Sequence, residues 1–101
     1  MTKNWILQSQ ECENTYLFNG QLLLTRGVAD EVPMDEVFQI IEDVQKRVLE
    51  MGGADYLQVF NHIQNDTKIF VIDALNRAMK ESGDYDLKEH DYWTIMFNHE
   101  Y

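Results

Sequence analysis

Residues 55–72 read DYLQVFNHIQNDTKIFVI. Two short runs rich in branched and aromatic residues flank the turn formers Asn65, Asp66 and Thr67, which predicts two strands joined by a tight reversal. In the first run Tyr56, Gln58, Phe60 and His62 share one side, while Leu57, Val59 and Ile63 share the other. Both runs are apolar on nearly both sides, so they are expected near the middle of a sheet.

Upstream, Pro33 to Met51 carries apolar residues at Met34, Val37, Phe38, Ile41, Val44 and Val48. That is helical spacing with one face for the core. Pro33 suits the first turn, where its missing N–H is not needed. Asp35 and Glu36 favour the N-terminal end of the helix dipole, and Gly52-Gly53 stops the helix. With Phe38 read as core, Phe38→Ala is expected to cost about 3–5 kcal/mol.

Further upstream, residues 15–25 read TYLFNGQLLLT. Asn19-Gly20 between two strand-like runs predicts a hairpin, because both residues accept positive φ cheaply. Residues 4–9 form a weaker strand candidate. Downstream, residues 73–81 read as a short helix with Leu75, Ala78 and Met79 inward, ended by Ser82-Gly83. Residues 92–97, YWTIMF, read as a final strand. The expected fold is α+β, a single domain over residues 1–101. It has a mostly antiparallel sheet of about five strands, one long helix across a face and one short helix.

The chain has 101 residues, with 18 acids against 8 bases, for a net charge of −10. Naked nucleic acid and an anionic membrane would repel it, whereas a protein with a basic surface would attract it. Cys12 is the sole cysteine, so no internal disulfide forms, and a reducing compartment suits the chain. The opening MTKNWILQSQ has too short an apolar run for a secretory signal. No run approaches the roughly 20 apolar residues of a membrane helix. The expected localisation is cytoplasmic.

Four stretches, LLLTRGVADEVP, DYLQVF, KIFVID and TIMFNHEY, resemble in this order the family catalogued as domain of unknown function 960, found in Gram-positive bacteria and their phages. The resemblance covers about residues 22–101. NHIQNDT stands where the family carries a longer polar segment, and the helix at 74–81 with the acidic loop after it is longer than the family pattern. The resemblance implies a small intracellular α+β protein linked to phages, and it implies no activity and no functional residues.

The acidic stretch ESGDYDLKEHDYW, residues 81–93, is the main candidate for function. As a calcium loop it fails. Asp84 and Asp86 fit the first and third ligand positions, but Lys88 falls on the fifth and Ile95 on the twelfth. As a charge strip it fits better. In an extended segment, residues two apart lie about 6.6 Å apart on one side, so Asp84 and Asp86 would make a row spaced like phosphates. The expected partner-binding residues are Asp84, Tyr85, Asp86, Glu89 and Asp91, with Glu42 and Asp43 extending the surface from the long helix. Glu50 and Asp55 could add to it, and Tyr85, Tyr92 and Trp93 could stack on guanidinium groups. Most acidic loops are simply solvated, and that reading stands beside this one.

No metal, cofactor or catalytic residue is expected. His62, His90 and His99 lack metal spacing, and His62 reads as a half-buried, hydrogen-bonded side chain. Glu11 and Glu13 would raise the Cys12 pKa, which argues against a nucleophile. Gly52-Gly53 lacks the context of a phosphate loop. Arg26, beside Gly27 before a helix, could bind an anion, or pair with Asp30 or Asp55. The expected function is that of a non-catalytic acidic interaction protein occupying a basic site on a partner, plausibly a nucleic-acid-binding one. The alternative is a small ligand-binding domain or enzyme with a pocket near Arg26 and the 56–62 strand.

Overall fold

The structure is a computed structural model that describes residues 4–9 and 16–101. Cys12 and the first residue of the expected hairpin lie outside the described residues. Strands β1 (Trp5–Leu7), β2 (Gln21–Leu24), β3 (Leu57–His62), β4 (Lys68–Asp73) and β5 (Tyr92–Phe97) form one sheet in the order β1-β3-β4-β5-β2. The helices are α1 (Arg26–Glu31), α2 (Met34–Met51), α3 (Arg77–Ser82) and α4 (Leu87–His90). This is the expected α+β architecture with one long helix. The short helix after β4 is present, and α1 and α4 add two more that the sequence pattern does not announce.

β3 and β4 pair antiparallel with Val59 opposite Phe70, and β4 pairs antiparallel with β5, Phe70 opposite Met96. Both strands expected to be central are central. Alternation then fixes two faces. Phe60, Ile69, Val71, Trp93, Ile95 and Phe97 are buried on the helix side, where Val37, Ile40 and Val44 of α2 and Val28 of α1 complete the core.

The hairpin at Asn19-Gly20 does not form. Tyr16 bridges antiparallel to Ala54, and β2 runs on to pair parallel with β5, Gln21 opposite Tyr92. Three long-range contacts override the local turn preference. Asn19 Oδ1 accepts from Lys80 Nζ at 2.6 Å. Phe18, at φ 47° and fully buried, donates its amide to Asp73 Oδ2 at 2.9 Å. Gly20 lies so close to Asp91 that a Cβ there would collide with the Asp91 carbonyl oxygen and Oδ1. The glycine provides close approach, not a left-handed turn.

α2 begins and ends where the sequence places it. Pro33 caps its start, and Gly52 ends it in the left-handed region at φ 75°. Its buried face is turned by about one residue position, toward Ile40. Val37, Ile40 and Val44 are buried, with Ile41 and Val48 partly so. Met34 and Phe38, expected in the core, are 51% and 57% exposed. The helix has more apolar positions than one contact face can bury, and Met34 and Phe38 fall on the flank. Phe38→Ala should therefore cost less than about 1 kcal/mol, as surface substitutions do. Urea melts of parent and variant check this; a loss near the core value would put the side chain back inside.

Arg47 ties the layers together. Its Nη1 donates to Oε1 of the fully buried Gln58 at 2.7 Å, and its Nη2 donates to the Gln8 carbonyl at 2.9 Å. One guanidinium thus satisfies a buried amide on β3 and the chain leaving β1.

Candidate functional site

The acidic stretch emerges at the end of the sheet where β4 stops and β5 begins. Asn76 caps α3 by accepting from the Met79 amide at 2.8 Å, and Gly83 ends it in the left-handed region at φ 78°. The chain bends through Asp84 and Tyr85. Asp86 then caps α4, its Oδ1 accepting from the Lys88 amide at 3.0 Å. Every residue from 81 to 90 is exposed. The carboxylates of Glu81, Asp84 and Glu89 form no ion pair among the described residues.

This differs from the expected strip in shape and membership. The backbone is a bend followed by a helical turn, so Asp84 and Asp86 do not form an extended row of phosphate-like spacing. Asp91 leaves the exposed set. Its Oδ1 lies 3.0 Å from Lys80 Nζ, and the two side chains are only 17% and 12% exposed. Trp93 is buried and donates Nε1–H to the Gly20 carbonyl at 3.1 Å, so it is not free to stack on a partner. Tyr85 remains exposed with its ring edge on His90, centroids 6.4 Å apart.

Asp43 is placed away from this surface. Glu42 and Asp43 lie in the middle of α2, and Asp43 borders a groove against β1 with Trp5, Lys46, Arg47 and Glu50. β3 separates β1 from β4, where the acidic stretch begins.

Beneath the acidic end sits a charge cluster with no sequence signature. Asp73 is 2% exposed at the end of β4. Burial raises its pKa above the ordinary 3.8, opposed by the Phe18 amide and by Lys80, and reinforced by Asp91. Lys80 serves Asn19, Asp91 and Asp73 together. Nothing in the sequence around Lys80 shows that its stem runs inward.

At the opposite end of the sheet lies an open cleft of about 620 Å³ whose walls include Trp5, Glu36, His62, Asp66, Asn98 and His99. Trp5 donates Nε1–H to Glu36 Oε1 at 2.8 Å and meets His62 edge-on at 4.7 Å. His62 is half-buried and hydrogen-bonded, its Nδ1 accepting from the Gln64 amide at 3.1 Å. That bond leaves the proton of the neutral ring on Nε2. Arg26, the expected anchor of a pocket, is not one of the walls. Its side chain is 96% exposed and lies 3.5 Å from Asp30. Beside the cleft, Glu100 accepts from the Phe97 amide at 2.9 Å and from the Thr25 hydroxyl at 2.8 Å. The Phe97 amide, with help from Thr25, lowers its pKa. Glu36, Glu100 and His62 are engaged in hydrogen bonds within the fold.

Among the described residues, no group of three or more His, Cys, Asp or Glu side chains is placed to hold a metal ion. No described helix is long and apolar enough to cross a membrane. Comparison of the chain with protein-family models, with curated proteins and with solved structures found no match.

Proposed function

We propose that the chain is a non-catalytic, cytoplasmic interaction protein whose acidic end occupies a basic site on a partner protein. Asp84, Tyr85, Asp86 and Glu89 make the contact. The observation that carries this reading is the unbroken exposure of residues 81–90 with carboxylates at Glu81, Asp84, Asp86 and Glu89. An array this dense in negative charge steers a positively charged partner over long range. Nucleic-acid-binding proteins are the class that presents dense arginine and lysine arrays. Attraction of a compact acidic knob, not imitation of a regular phosphate row, is the form that suits the bent backbone.

Membership in the domain-of-unknown-function family 960, with its phage-linked setting, belongs to the same proposal. The four resembling stretches fall on β2 with α1, on β3, on β4 and on β5. The likeness thus follows four of the five strands, and the acidic α3–α4 segment is where the chain runs longer than the family pattern.

The test uses Asp84→Asn, Asp86→Asn and Glu89→Gln together. Asn remains a good cap for α4, so urea melts of this triple variant and the parent should differ by less than about 1 kcal/mol. Capture from lysate should recover a basic protein with the parent at low salt. It should recover far less with the triple variant, or with the parent at about 0.5 M salt, where charges are screened within a few ångströms. Equal capture by parent and triple variant would remove the acidic end from the contact.

A further inference from the structure

We propose that the open face of the sheet, the one turned away from α2, packs against the same face of a second copy of this chain. Leu57, Val59, Phe70, Ile72, Thr94 and Met96 form its centre. They are half-buried, as expected where neighbours cover one another but no further layer of described residues lies above. Leu23 and Ile6 extend the face to both edges and are 39% and 49% exposed. Tyr101 stands edge-on over Phe70, centroids 5.7 Å apart.

The charge pattern selects the occupant. Although the chain has 18 acids, no strand position on this face is Asp or Glu, and Lys68 at the rim is its one charged residue. A basic partner finds nothing to recognise here, whereas an apolar, nearly uncharged face is complementary to itself. Two-fold pairing of sheet on sheet also puts α2 of each copy on the outer layer, where its carboxylates are far from those of the other copy.

The area is sufficient for a weak dimer. Three strands of six residues with the shorter β1 and β2 of three and four, at about 3.3 Å per residue and about 4.8 Å spacing, give roughly 400 Å² in projection per copy. The pair therefore buries on the order of 800 Å², the range of weak, transient contacts. Uneven side chains and Tyr101 add to that. The expected dissociation constant is about 10⁻⁵ M.

Sedimentation equilibrium of the full chain over a dilution series tests this. The mass should approach twice the 12.0 kDa of the chain at about 300 µM and fall to one copy at about 1 µM. Phe70→Lys and, separately, Met96→Lys should each weaken association at least about tenfold. Phe38→Lys, on the exposed flank of α2, should leave it unchanged. Added salt should preserve or strengthen the dimer, because two acidic copies repel less when screened. That response is opposite to the one expected at the acidic end, so the two proposals fail separately. As a check without substitutions, the methyl resonances of Val59, Ile72 and Met96 should shift on concentration. A parent that stays a single copy at the highest concentration overturns the proposal. So does a dimer abolished by Phe38→Lys, or one whose sheet-face methyls do not shift.

Discussion

Phe60→Ala should bring the protein close to the limit of folding, lowering stability by about 3–5 kcal/mol out of the 5–15 typical of a domain. Phe60 is fully buried at the centre of β3. It lies opposite Leu7 on β1 and Ile69 on β4. Its ring faces the layer that α2 closes with Val37, Ile40 and Val44. Removing it leaves a cavity bounded by strands that cannot move together without breaking their ladders. Urea melts with equal slopes would give the loss directly. A value below about 1 kcal/mol would mean that β3 presents its other side to the core, since a one-residue slip inverts every side chain.

Lys80→Met should cost about 3 kcal/mol at neutral pH, because it leaves Asp73 and Asp91 without their cation in a nearly dry site. The Lys80 and Asp91 side chains are 12% and 17% exposed, and Asp73 is 2% exposed. The cost should depend on pH with a definite sign. Burial holds the Asp73 pKa above 3.8 in the fold, so the folded chain takes up this proton at a higher pH than the unfolded chain. Its contribution to stability is complete below 3.8 and is lost as pH rises through the folded value. Removing Lys80 removes a lowering influence and raises that value further. The stability gap between parent and Lys80→Met should thus be widest near neutrality and narrow as pH falls toward Asp73 protonation. Relief of the general negative charge in acid is common to both proteins and drops out of the gap. Urea melts across the acid range check this; a gap that stays constant or widens in acid would contradict the cluster.

The parts of the fold legible in the sequence are those with local causes. Pro33 and Gly52 bound α2, Asn65 to Thr67 turn the central hairpin, and Gly83 ends α3. What was not legible rests on contacts distant in sequence. β2 pairs with β5 across about seventy residues, and no local pattern indicates it. Asn19-Gly20 has the composition of a turn, but its polar and steric capacity is taken up by Lys80 and Asp91. The apolar set on α2 reads as one broad face, and only the groove it meets decides that Ile40 goes in while Phe38 stays out. The two-sided apolar pattern of β3 and β4 correctly marks them as central, yet it does not show that one side has no further layer of described residues above it. For the acidic end, sequence conveys charge but not form. Asp86 becomes a cap and Asp91 an internal partner, which reduces the available strip to Asp84, Tyr85, Asp86 and Glu89.

Under the proposed function, this end of the molecule acts through its unpaired charge. The most direct measurement is the association rate of the captured partner with parent and with the triple variant across ionic strength. The parent rate should fall steeply from low salt to about 0.5 M, while the variant starts lower and changes little, so that the two converge at high salt. Two curves of the same slope would show that residues 84–89 do not steer the encounter, and would contradict the claim.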